Sequence, residues 1–283
     1  MRIAIMGAGG TGGYFGAKLL SAGVDVSFVA RGAHLAAMRS TGLRISGAEE
    51  MLLRDVQASD DPAHIDAVDA VLFCVKLYDT ETAARAIAPL LHEHTMILTV
   101  QNGIESSDRI SAVLGAGRTL AGAAYFPANI KAPGEINYLG CVADKPHVAF
   151  GEAGGGASER AHALAKVFQH AGLRAAVCDD TQLMLWEKFC LMAGTSAATT
   201  LTRQNIGVVR SDPDMRALLT SAISETAQVG RALGVALHAE TEQRVLASLD
   251  GNSPNSRASQ LTDLERGRRL ELDGLSGALV RLG

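Results

Sequence analysis

The sequence predicts an α/β protein, with a doubly wound parallel sheet over residues 1–180 and an all-helical domain over residues 181–283. Three observations predict it. Short, continuously apolar runs alternate with helix-like stretches through the first half, as in parallel sheets covered on both faces. A glycine-rich turn follows the first of these runs. Beyond Thr181 the strand-like runs stop and long helical patterns take over.

In chain order, Arg2–Met6 is a short apolar strand that ends in glycines, and residues 11–22 read as a helix. Strands follow at 25–30, 70–75 and 95–100, with helices at 33–40 and 80–91. Residues 120–126 and 137–151 hold short strands broken by the turns Pro133-Gly134 and Leu139-Gly140. Gly154-Gly155-Gly156 is a flexible break before a helix at 157–171 and a last strand at 174–178. Residues 182–203, 212–233 and 238–249 then read as long helices. The chain stops after an apolar helical stretch, 275–282, with no cap, which reads equally as a frayed terminus and as a helical domain incomplete at its C-terminal end.

Composition narrows the function. A net charge of -4 offers no basic surplus for nucleic acid or an anionic membrane. A bound phosphate is still allowed, because a few cations and backbone N–H groups suffice to hold one. Cys74, Cys141, Cys178 and Cys190 form no CxxC pair and no zinc-like cluster with histidine, so no metal is expected. No leader precedes the first strand, and the weakly polar run 189–201 is too short and too rich in Thr and Ser to span a bilayer, which points to the cytoplasm.

Gly7-Ala8-Gly9-Gly10-Thr11-Gly12 matches GxGxxG. Its setting between a strand and a helix makes the match informative. Gly7 permits the tight turn, Gly9 lets the backbone approach a pyrophosphate, and Gly12 lets helix pack on strand, as in Rossmann-like domains. With Gly10, these residues are the candidate cofactor-binding loop. The second strand ends Val29-Ala30-Arg31, without the acid that would accept from the ribose hydroxyls of NAD. Arg31 instead suits a 2′-phosphate, which favours NADP(H).

Lys76 and Asn102 follow the strands that end at Val75 and Val100, where such sheets present their ligand-facing loops. Taken alone, they read equally as a surface lysine and a turn former. Lys188, within Trp186-Glu187-Lys188, reads by composition as a solvated helix residue, and the polar segment from Ser259 to Gly274 as an exposed helix and turn.

Together these motifs resemble the ketopantoate reductase family. The resemblance rests on the N-terminal GAGGTGG, Arg31, CVK at 74–76, QNG at 101–103, WEK at 186–188 and ELDG at 271–274, in that order from Met1 to the last residues. It implies a Rossmann-like NADP-binding domain and a helical catalytic domain that reduces 2-dehydropantoate or a related branched 2-oxoacid with NADPH. It further implies Lys188 as catalytic acid and Glu271 as its catalytic partner. Ser259, Asn102 and Ser196 would contact substrate, and Lys76 and Asn102 would also serve the cofactor. Typical members extend further beyond the ELDG segment and carry asparagine four and eight residues after the lysine. Here those positions are Met192 and Ser196, which with Lys188 share one helix face. Exchange of an amide for a thioether alters which substrate group the site can satisfy. A homodimer fits the family, although no residue in the sequence marks an interface. Two other readings are a β-hydroxyacid-type dehydrogenase, which would not explain the ELDG segment with its upstream serine, and a non-catalytic NADP sensor, against which the retention of both Lys188 and Glu271 argues.

Overall fold

Alternating side chains along the first strand, β1 (Arg2–Met6), build a sheet with two buried faces. Ile3 and Ile5 join one apolar cluster with Phe15, Phe28, Leu72 and Leu98. Ala4 and Met6 join another with Val71, Phe73 and Ile97. A strand of period two can be apolar throughout only when both faces are covered.

The computed structural model describes all 283 residues, which group into two units: Met1–Gln101 with Ser106–Thr181, and Asn102–Glu105 with Gln182–Gly283. The first unit runs β1, α1 (Gly10–Ser21), β2 (Asp25–Val29), α2 (Gly32–Thr41), β3 (Leu43–Gly47), β4 (Met51–Leu53) and β5 (Gln57–Ser59). It continues with β6 (Ala70–Phe73), α3 (Thr80–Ala86), β7 (Met96–Thr99), α4 (Ser106–Leu114), β8 (Thr119–Ala124), β9 (Ala128–Ala132) and β10 (Glu135–Tyr138). β11 (Val148–Glu152), α5 (Glu159–His170) and β12 (Ala175–Val177) complete it.

Eight strands form one sheet in the order β12-β11-β8-β7-β6-β1-β2-β5. Strand order reverses at β1, which pairs in parallel with β2 on one side and β6 on the other. The expected doubly wound parallel sheet is therefore present, with one qualification: β11 meets β8 antiparallel, while β11 and β12 are parallel to each other.

Several details depart from the sequence reading, among them a helix at α4 that it did not expect. The helix expected at 80–91 is shorter: α3 ends at Ala86, and residues 88–90 form a 3-10 turn around Pro89. Proline has no N–H to continue an α-helix and its ring crowds the preceding turn. A second sheet, ordered β4-β3-β10-β9, is also present. It lies over the start of α1, where an added Cβ on Gly13 would come within 2.9 Å of Ile136 and one on Gly10 would collide with the Ala128 carbonyl. Tyr14 stacks on Tyr138 of this sheet with centroids 3.9 Å apart.

The second unit holds α6 (Thr181–Thr202), α7 (Ile206–Ser211), α8 (Pro213–Ala232), α9 (Thr241–Gly251), α10 (Ser259–Glu265) and α11 (Ser276–Leu282). Glycines let α8 approach α6 closely: an added Cβ on Gly230 would lie 2.8 Å from the Trp186 ring. Trp186 in turn meets Phe189 edge-on at 5.6 Å. α8 starts sharply, with Asp212 capping the N–H groups of Asp214 and Met215 and Pro213 at the first turn. Two forked ion pairs join α8 to α9, Arg216–Asp250 at 2.6 Å and Arg231–Glu242 at 2.6 Å. Arg210 caps the end of α9 through the carbonyls of Leu249, Asp250 and Asn252. No helix is long and apolar enough to cross a membrane.

Candidate active site

The glycine-rich loop closes onto both neighbouring strands. Val29 O accepts from Gly7 N at 3.2 Å and from Ala8 N at 3.0 Å, which ties the loop to the end of β2. Gly7 has φ +98° and lies against the end of β6, where an added Cβ would sit 2.9 Å from Val75 N. Both features require glycine. An added Cβ on Gly12 would strike the Gly7 carbonyl.

Gly9 differs. It is the N-cap of α1, without a side-chain cap, and nothing lies within 4 Å of where its Cβ would be. No acidic residue occupies the first turn of α1. Unpaired N–H groups and the positive end of the helix thus face open space, an arrangement that fits a pyrophosphate. Arg31 is exposed at the N-cap of α2, directly after the β2 end that anchors the loop. The chain's own residues therefore fit a dinucleotide: glycine amides for its pyrophosphate and a cation for a 2′-phosphate.

Lys76 caps the 3-10 turn at 77–79 that follows β6 and is partly buried. Its backbone is held by Gln101, whose side-chain amide donates to Val75 O at 3.0 Å and to Thr80 Oγ1 at 3.0 Å. The Gln101 carbonyl accepts from Thr99 Oγ1 at 3.1 Å, so one buried amide fastens the ends of β6 and β7. Gly7, Gly9, Gly10, Gly12, Arg31 and Lys76 thus gather at the carboxyl ends of β1, β2 and β6.

Asn102 opens the short segment that groups with the helical unit. Glu105 of that segment accepts from Arg281 of α11 at 2.7 Å, and Arg281 also bonds Asp273 at 2.9 Å. Within the helical unit Lys188, Met192 and Ser196 lie at successive turns along α6. Ser196 is buried, while Lys188 and Met192 keep some solvent contact. The surroundings of Lys188 are nonetheless dense enough that desolvation lowers its ammonium to about 8. Ser259 is exposed at the first position of α10, and Glu271 is 7% exposed in the turn ahead of α11.

Asp263, within the segment read from sequence as an exposed helix and turn, is instead buried. It stands one turn after Ser259 on the same helix face, its side chain is 10% exposed, and Arg268 approaches it at 3.7 Å. The i, i+4 spacing from Ser259 was the available signal. Gln101 was visible only as part of a turn motif, because its fastening role depends on which strands become neighbours. No group of three His, Cys, Asp or Glu side chains is placed to hold a metal ion.

Residues 3–154 match the family model for ketopantoate reductase PanE/ApbA, and residues 180–283 match that for its C-terminal part. A 2-dehydropantoate 2-reductase from Mesorhizobium japonicum is 33% identical over 100% of this chain and 91% of that protein. One from Archaeoglobus fulgidus is 32% identical over 100% of this chain and 90% of that protein. The crystal structure of a PanE/ApbA family ketopantoate reductase from Ralstonia eutropha superposes with a TM-score of 0.91 at 31% identity, covering 100% of this chain and 91% of that one.

Proposed function

This chain belongs to the ketopantoate reductase family, and we propose that it reduces 2-dehydropantoate or a related branched 2-oxoacid, with Lys188 as the acid. It is an oxidoreductase acting on CH–OH groups, and its cofactor is NADP(H). Gly7, Gly9, Gly10, Gly12 and Arg31 hold the cofactor, with Lys76 and Asn102 in support.

Bound NADPH supplies a hydride to the ketone carbon. Negative charge then grows on the ketone oxygen, and Lys188 donates a hydrogen bond to it and finally its proton. What supports this role is the place of Lys188 on α6, one turn before Met192 and two before Ser196, in surroundings that desolvate its ammonium. An ammonium brought down to about 8 is still mostly charged at neutral pH, yet it releases its proton far more readily than an exposed lysine. The amine left behind is neutral, the form that a desolvated position favours. Glu271, a buried carboxylate in the same unit, orients Lys188 or a substrate hydroxyl. Ser259, Asn102 and the Ser196 hydroxyl position the rest of the substrate.

Met192 favours the less polar of the candidate substrates. It occupies the turn of α6 directly after Lys188, so that turn presents a thioether, which offers little to a substrate hydroxyl and packs well on an apolar branch.

Lys188→Ala tests the reading. The expected result is a kcat at least about a hundredfold lower, with NADPH affinity retained. A kcat that matches the parent protein would remove the proposed acid.

A further inference from the structure

His34 lies in the first turns of α2, three residues after Arg31, and its two ring nitrogens are unequally served. Nδ1 accepts from Gly134 N at 3.0 Å. Nε2 is buried and has no hydrogen-bond partner. With Nδ1 accepting, a neutral ring carries its proton on Nε2. Burial lowers the imidazole below its ordinary range, and the backbone of Ala8, inside the glycine-rich loop, partly opposes that. The ring thus links two elements, α2 and the Pro133-Gly134 turn between β9 and β10.

The same β9–β10 hairpin also underlies α1. An added Cβ on Gly10 would strike Ala128 and lie 2.8 Å from Asn129 N. At the other end of the hairpin, an added Cβ on Gly134 would lie 3.0 Å from Ala37 of α2. One hairpin therefore lies against both helices whose N-termini carry the dinucleotide candidates, the glycine amides on α1 and Arg31 on α2. His34 is the polar link between the hairpin and α2. Buried polar groups are normally paired, and an orphaned one calls for a reason.

We propose that His34 is a positioning residue for NADP(H), bracing α2 against the 133–134 turn so that Arg31 and the glycine loop keep one spacing. This rests on the assignment of both to the cofactor. A dinucleotide with a 2′-phosphate spans both points, whereas one without it depends on the loop and its immediate neighbours alone. Loss of the brace should then weaken NADPH more than NADH.

The test is direct binding of NADPH and NADH, followed by coenzyme fluorescence, for the parent protein, His34→Leu and His34→Asn. Leucine fills the space without an acceptor. Asparagine places a carbonyl near the position of Nδ1, where it can take the Gly134 N–H. The expected result is about a tenfold rise in the NADPH Kd for H34L, a smaller rise for NADH, and recovery to within about threefold in H34N. An NADPH Kd in H34L within about twofold of the parent would overturn the proposal. Equal weakening of both coenzymes would also overturn it, because a general loosening of the fold has no reason to select for the 2′-phosphate. Should the parent protein bind neither coenzyme, the cofactor assignment itself would fall.

Discussion

Lys188 carries a charge that folding disfavours. Burial lowers its ammonium from 10.5 to about 8. Between those two values the unfolded chain holds more protons than the folded one, so stability rises as pH climbs from about 8 towards 10.5 and is lowest below about 8. Activity runs the opposite way, because the acid is the protonated form. kcat/KM should be level below about pH 8 and fall as pH rises through it, close to tenfold per unit. A rate profile that stays level from pH 8 into the ordinary lysine range would remove Lys188 as the acid. Composition could not single out this residue, since a lysine on a long helix is usually solvated. The order of motifs around it could. Its lowered pKa was beyond the sequence altogether, because desolvation depends on which side chains the fold packs around it.

At the scale of elements, the glycine run of α1 serves two masters. Gly9 faces open space, whereas Gly10 faces the backbone of β9. Substitutions at the two should separate binding from folding. Gly10→Ala should lower stability by about 1–3 kcal/mol, since a backbone carbonyl cannot step aside as a flexible side chain can. Gly9→Ser should leave the melting temperature nearly unchanged, because serine is a good N-cap and its φ of -73° is ordinary, but should weaken NADPH binding. Thermal denaturation and coenzyme titration of the two variants check this. Equal melting temperatures would show that the second sheet does not constrain the loop. GxGxxG was legible because each glycine has a local reason. The sheet above it was not. Leu43–Gly47 and Ala128–Ala132 are short, with polar or charged residues between few apolar ones; β9 forms a tight hairpin with β10, but β3 joins the layer only by pairing with β10 across a long stretch of chain. The over-long helix at 80–91 was a local error that Pro89 could have prevented.

Over the whole molecule, the change from alternating strands and helices to helices alone was plain in the hydrophobic pattern, and the order of α6, α8 and α9 followed from it. Less visible was the grouping of Asn102–Glu105 with helical residues far along the chain, held in part by Arg281. Such a crossing is a product of tertiary packing and leaves no mark on periodicity. The two sets of candidate residues therefore reach their places by different routes. The cofactor set is encoded in one local turn and the strand ends beside it, while the substrate set is scattered along α6, α10 and the turn before α11. Motif spacing points to the first set on physical grounds, whereas the second rests mainly on family resemblance, and the burial of Asp263 between Ser259 and Glu271 depends on packing that spacing does not show.

The most direct test of the account is the rate of NADPH oxidation by the purified chain across a panel of 2-oxoacids, comprising ketopantoate, a pyruvate-sized member and bulkier apolar branched members. Turnover of the branched 2-oxoacids is the predicted result, with the less polar ones favoured. Failure to consume NADPH with any of them, alongside oxidation of a 3-hydroxyacid with NADP, would contradict it.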